Sequence, residues 1–249
     1  MSQHTLVQPE GDDVLSYERR KSWGFGAGGG GGSVGAVTFR SDSFVAYAGG
    51  RTNTIINAPV GVADDDFLLL IFEDGLVGAV APVATPPAGF NILPGFPLTR
   101  SDSNPFTVDT YAWIKIAAAE PANYTITHAN ASSNAWMMSA FGADLVTPVD
   151  PGEISTATGL GATATAPTIT TAINNSLIVY FCSKWNFPGI TPPGGVTPVL
   201  TTRLDGTVTL LFTSTGDLAA AGATGNKVAT GLPNTPTEPW ATGLIAVRP

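Results

Sequence analysis

Residues 107–116, TVDTYAWIKI, alternate without a break. Val108, Thr110, Ala112, Ile114 and Ile116 fall on one side, and Asp109, Tyr111, Trp113 and Lys115 on the other. A period of two is the mark of a strand with one buried face. The same β-branched and aromatic character recurs in FLLLIFED (67–74), NYTITHA (123–129), WMMSAFGA (136–143), PTITTA (167–172) and SLIVYFCSKW (176–185). It continues in PVLTTRLDG (198–206), TVTLLFTST (207–215) and the closing ATGLIAVRP (241–249). FLLLIF is apolar on both faces and is expected to be a central strand. Asp205-Gly206 is a turn dipeptide between two β-rich runs and predicts a hairpin. The helix formers Leu218 to Ala221 are interrupted by glycines, so residues 216–229 read as a loop or a single short turn. With no helical stripe between the strands, a parallel α/β sheet is disfavoured, and the expected fold is all-β, an antiparallel, jelly-roll-like β-sandwich. The 29 glycines and 20 prolines, many of them between apolar runs, suit short strands joined by tight turns.

The strand-like character begins at Val37. Before it stands KSWGFGAGGGGGSVGAV (21–37), in which Gly24, Gly26 and Gly29 have the spacing G-x-G-x-x-G. A dinucleotide fingerprint needs a buried strand before the glycines and a helix after them. Here YERRKS precedes and GGSVGAVTF follows, so the stretch is expected to be a hinge. The organisation read from the sequence is therefore an N-terminal anchoring arm (1–23), a Gly-rich flexible linker (24–36) and a β-sandwich domain (37–249). The linker's 13 residues span about 20 Å root-mean-square. The arm carries the densest charge cluster, SYERRK, and aromatic residues besides. Arg19, Arg20, Lys21, Trp23 and Phe25 are candidate partner anchors, because aromatic residues and arginine dominate interface energetics. The arm reads either as a docking peptide that orders on a partner or as a terminus without function.

A formal net charge of −8 repels phosphates and anionic lipid, so nucleic-acid binding by the main body is not expected. The first 23 residues hold no apolar core of a signal peptide, and no run is long enough for a transmembrane helix, so synthesis in the cytoplasm without membrane insertion is expected. The single cysteine, Cys182, lies in an apolar run, is expected to be buried, and excludes a disulfide within the chain. Of the two histidines, His4 lies in the arm and His128 near a strand end, where a surface position is expected. Asp64, Asp65 and Asp66 together suggest either a calcium loop or, as favoured here, an exposed acidic strand entry. Glu73-Asp74-Gly75 reads as a turn. Three Asn-x-Ser/Thr spacings, at Asn123, Asn130 and Asn174, mean little without a secretory signal. No motif for catalysis, cofactor or metal emerges, and no cofactor is expected.

Trp113 lies across the strand from Ile114 and Ile116, either solvent-facing or covered by a second layer. Other aromatics stand in Gly/Pro-rich segments, PPAGFNILPGFP (86–97) and KWNFPG (184–189). Phe90, Phe96, Trp185 and Phe187 are candidate glycan contacts, with packing under loops as the commoner alternative.

The order DDFLLLIFED, ATPPAGFNILPG, TVDTYAWIKIAAAEPANYTITH, WMMSAFGAD, APTITTAINNSLIVYFC and EPWATGLIAVRP resembles a loose family of jelly-roll-like β-sandwich proteins of tailed bacteriophages and some bacteria. In that group an apolar strand leads to a Pro-Pro-x-Gly turn and an aromatic, usually tryptophan, where this chain has Phe90. The resemblance implies a non-enzymatic structural virion protein of a tail, baseplate, fibre or head decoration, held to other virion proteins through its arm. It carries over no active site. Self-association, with a homotrimer favoured, would cover apolar surface and strand edges. The alternative is an adhesin or receptor-binding module that contacts host surface glycans.

Overall fold

The computed structural model describes residues 35–77, 83–101, 106–185, 191–194, 197–201, 209–231 and 239–249. The anchoring arm and nearly all of the glycine linker lie outside these residues, as do Phe187 and the Asp205-Gly206 dipeptide. Among the described residues there is no α-helix, and the architecture is an antiparallel β-sandwich.

The strands are β1 (Thr38–Asn57), β2 (Phe67–Val77), β3 (Asn91–Ile92), β4 (Leu98–Ser101), β5 (Phe106–Ile116) and β6 (Asn123–Phe141) in the first half of the chain. After a 3-10 turn at Pro151–Glu153 come β7 (Ile154–Leu160), β8 (Ala164–Ala166), β9 (Thr170–Thr171), β10 (Ser176–Trp185), β11 (Thr197–Thr201), β12 (Thr209–Leu218), β13 (Gly222–Ala223), β14 (Lys227–Ala229) and β15 (Pro239–Val247). The first half builds one sheet in the order β1-β6-β2-β5-β3, with β4 also on β5. The second half builds the other, β11-β12-β10-β15-β7, and two small ribbons, β13-β9 and β14-β8. One layer is complete before the other begins.

Between the sheets lies the main core. Phe67, Leu69 and Ile71 of β2 and Trp136 and Met138 of β6 meet Leu177, Val179 and Phe181 of β10 and Ile245 of β15. The Trp136 indole N–H, deep in this layer, donates to Asp42 Oδ2 at 2.9 Å, so the buried donor is satisfied. The next residues along each strand point outwards, and they too are covered. Ile178, Tyr180, Cys182, Leu244 and Ala246 pack under Ala164, Ala166 and Ala229 of the β8–β14 ribbon and under Ile169. On the first sheet, Leu68, Leu70 and Phe72 pack with Tyr111, Trp113, Ile56, Tyr124 and Ile126.

That last cover comes from the sheet itself. β1 and β6 pair from Thr38↔Phe141 to Asn57↔Asn123, with register shifts between Tyr47 and Arg51 and again before Asn53. Bulges of this kind bend a ribbon sharply. Only the Ser132–Ala140 part of β6 also pairs with β2. The remainder folds back over the outer face, bringing the His128 ring to 5.2 Å from Phe72 and Tyr47 Oη to the Ile55 carbonyl at 3.5 Å. The two predicted segments 123–129 and 136–143 are thus one bent strand of 19 residues.

Double coverage explains two sequence patterns. Residues 67–72 of β2 and the strand β15 show no apolar–polar alternation because neither stretch has a solvent side; every residue of β15 is buried. FLLLIF is central, between β6 and β5, as its composition implies. Trp113 is covered and Cys182 is buried. β11 and β12 pair antiparallel, in keeping with a hairpin, although the expected turn lies outside the described residues. Residues 216–229 are not a plain loop, since β13 and β14 form there.

Close packing makes Gly243 indispensable. A Cβ at that position would stand 2.6 Å from the Phe181 ring and 2.6 Å from the Ser155 carbonyl oxygen. Gly243→Ala is expected to cost about 1–3 kcal/mol by overpacking, read as a lower midpoint in urea denaturation at unchanged slope.

Candidate functional site

The neighbouring strands β2 and β5 of the first sheet both carry polar residues that remain buried. In β2 the apolar run stops at Phe72 and is followed by Glu73 and Asp74, both fully buried. Strand alternation sends Glu73 to the inner face, in line with Phe67, Leu69 and Ile71, and Asp74 to the outer face. The expected turn at Glu73-Asp74-Gly75 is therefore corrected. β2 runs through to Val77, because β5 and β6 flank it to that end.

On the inner face, Glu73 meets Arg100 of β4. Arg100 Nη2 lies 3.4 Å from Glu73 Oε1, and Nη1 donates to Thr110 Oγ1 at 2.9 Å. Thr110 in turn donates to Glu73 Oε1 at 3.0 Å. Arg100 Nη2 also donates to Ser183 Oγ of β10, which ties the first sheet to the second. Burial pushes the Arg100 guanidinium down from its ordinary value, and the Glu73 charge and hydrogen bond oppose that shift. A buried ion pair of this kind fixes register more than it stabilises, because desolvating two charges offsets much of their attraction.

On the outer face, Asp74 and Asp109 are direct partners across β2 and β5. Opposed residues place their Cβ atoms about 4.5–5.5 Å apart. Neither oxygen of Asp74 has a hydrogen-bond partner among the described residues, nor does Asp109 Oδ1. Burial, followed by the charges of Asp109 and Glu73, pushes the Asp74 carboxyl up to about 8. Asp109 is raised by burial too, against hydrogen bonds from Thr99 and Tyr111 and the charge of Arg100. Tyr111 Oη donates to Asp109 Oδ2 at 3.5 Å and accepts the Ala84 N–H at 3.2 Å. Across β6, Ser133 is the partner of Asp74. Its hydroxyl lies 2.5 Å from Thr54 Oγ1, which reaches His128 Nε2 at 2.9 Å. His128 is 5% exposed rather than on the surface, because the folded-back ribbon carries it inwards. Its burial lowers its basicity. This end of the sandwich thus gathers acidic groups in a buried setting that favours their protonated forms.

The other sequence candidates are dispersed. Phe90 turns inwards, 7% exposed, and its ring meets Tyr124 edge-on at 5.5 Å. Phe96 is half-buried against Phe181, with ring centres 5.7 Å apart. Phe90 packs in the outer cluster of the first sheet and Phe96 against the main core, in keeping with packing under loops, the commoner of the two alternatives. Trp185 ends β10 opposite Thr209, at the far end of the second sheet. Phe187 and the candidate anchors Arg19, Arg20, Lys21, Trp23 and Phe25 lie outside the described residues. The acidic triplet does not act as a unit. Asp64 accepts the Ala119 N–H at 2.7 Å, Asp65 is exposed, and Asp66 is buried, bound to Arg40 at 2.7 Å. Among the described residues no group of three or more His, Cys, Asp or Glu is placed to hold a metal ion, and no helix is long and apolar enough to cross a membrane.

The sequence reading missed Arg100 and misread Glu73 and Asp74. A signal was present: charged residues continuing a fully apolar strand without an intervening glycine or proline. Comparison with protein-family models, curated proteins and solved structures finds no match.

Removing the guanidinium leaves Glu73 buried without its cation. Arg100→Ala is expected to lower stability by about 3–5 kcal/mol. Adding Glu73→Gln should recover part of that loss, and urea denaturation of the three proteins measures both steps.

Proposed function

We propose that this chain is a non-enzymatic structural protein of a tailed-bacteriophage particle, anchored by its N-terminal arm and displaying the β-sandwich on the particle surface. The observation that carries the reading is where the glycine linker meets the fold. Val37, directly after it, is buried in the main core, and its N–H donates to the Asn175 carbonyl at 3.2 Å. The chain thus passes from a flexible composition into a rigid core within a few residues.

The same end holds the C-terminus. Arg248 bonds to both oxygens of Glu153, at 2.8 and 3.0 Å, and to Asp150 at 3.0 Å. The Asp144 N–H donates to the Arg248 carbonyl at 2.9 Å. The opposite end presents the strand termini Val77, Ser101, Phe106, Trp185, Thr201, Thr209 and Pro239. A module gripped at one end and offering its strand ends at the other suits display on a surface. Leu145 and Val146, the latter 87% exposed, stand beside the attachment end and suit contact with neighbouring copies, a trimer being favoured.

Immunogold electron microscopy with antibody against residues 37–249 tests this reading on particles from the producing system. Label at one defined place on the particles is expected, and a chain lacking residues 1–23 should remain in the soluble lysate. Clean particles, with the protein confined to the lysate, would overturn it. Glycan-array binding lost in Trp185→Ala would then favour the adhesin alternative.

A further inference from the structure

We propose that Asp74 and Asp109 form a proton-dependent fastening that holds the ends of β2 and β5 together at the end of the sandwich remote from residue 37, and that loss of their proton loosens those strand ends. The geometry supplies the argument. The two carboxyl groups are cross-strand partners, both buried, and no described side chain neutralises Asp74. With one proton between them they carry a single charge, and the repulsion across the strand pair is absent. Without it they are two like charges on one buried face, and the relief available is to separate and admit water.

The surroundings offer no substitute. On β2, Glu73 points to the opposite face, adds negative potential and engages Arg100. On β4, Thr99 bonds to Asp109, and Arg100 favours the Asp109 charge from the far face. On β5, Tyr111 donates to Asp109 and stays a phenol, its own ionisation pushed up by burial. β6 contributes Ser133 and Asn134, neither ionisable, and the folded-back ribbon contributes Thr54 and His128. His128 is held below its ordinary 6.5, so it is neutral throughout the range above that value.

The sign follows from linkage. The Asp74 carboxyl is raised from 3.8 to about 8 in the folded chain, so the folded state holds a proton that the opened state releases. The stabilisation is fully present below 3.8 and is lost as the pH rises through about 8. The fastening therefore tightens on acidification and slackens in alkali.

Amide hydrogen exchange on the full chain, from about pH 6.5 to about pH 9, reads the effect after division by intrinsic exchange rates. In the wild-type chain, protection of the Glu73–Val77 and Phe106–Asp109 amides is expected to fall by up to about tenfold per pH unit until about pH 8. Amides in the middle of β10 and β15 serve as the internal reference and should hold constant. Asp74→Asn, a neutral isostere, should remove the pH dependence while keeping strong protection at high pH. Asp109→Asn should do the same and serves if the first variant folds poorly. Protection at these strand ends that is independent of pH in the wild-type chain, or that falls equally in both variants, would overturn the proposal.

Discussion

A strand that is apolar on both faces has to be covered twice, and β2 imposes that demand on the whole molecule. Phe67 to Phe72 are all fully buried. A second sheet covers one face, which a two-layer sandwich supplies in any case. The other face needs a further layer, and the protein makes it by bending β1 and β6 back over their own sheet. The second sheet meets the same demand with less, since short ribbons over Tyr180, Cys182 and Leu244 suffice. At roughly 1.5–3 kcal/mol for each large apolar side chain fully buried, the outer clusters are part of what stabilises the fold rather than trim on a finished sandwich.

Continuous coverage also determines what becomes of charge at the strand ends. Where the apolar run of β2 gives out, neighbouring strands still flank it, so Glu73 and Asp74 are buried by their context. The two solve the problem differently because alternation sends them to opposite faces. Glu73 acquires the Arg100 guanidinium and the Thr110 hydroxyl between the sheets, and Ser183 of the second sheet holds the same guanidinium. Asp74 faces another aspartate. One face thus holds a neutralised pair and the other an acidic pair, one residue apart in the sequence.

Much of the fold was legible from periodicity. TVDTYAWIKI lies within β5, SLIVYFCSKW is β10 residue for residue, and FLLLIF is central. β1 was not legible, because Gly49-Gly50 and the surrounding serine, arginine and asparagine residues look like a turn region, whereas in the structure the two glycines fall at the bend of a 20-residue strand. The bend in β6 was hidden for a related reason: HANASSN reads as a break between strands, yet pairing with β1 continues across it. The buried polar cluster was obscured by a local rule, since Glu-Asp-Gly is good turn chemistry and only strands distant in sequence override it. For Phe90 and Phe96 the Gly/Pro-rich surroundings left two alternatives open, because they say loop and do not say which way the ring points. Strand order depends on contacts that no single segment encodes.

The burial of Val37 has a mechanical consequence. A pull on the chain ahead of residue 37 enters β1 at Thr38 and runs along the strand axis, with β6 alongside from Phe141 onwards. The backbone hydrogen bonds between the two strands lie across that direction and share the load together, so the connection resists as a lap joint does and not as a zipper opened from one end. The bend between Tyr47 and Arg51 adds a hook, because β1 cannot slide straight out while its second half is wrapped over the outer face. A strand seated in this way resists a pull on its leading end without the sheet losing its shape.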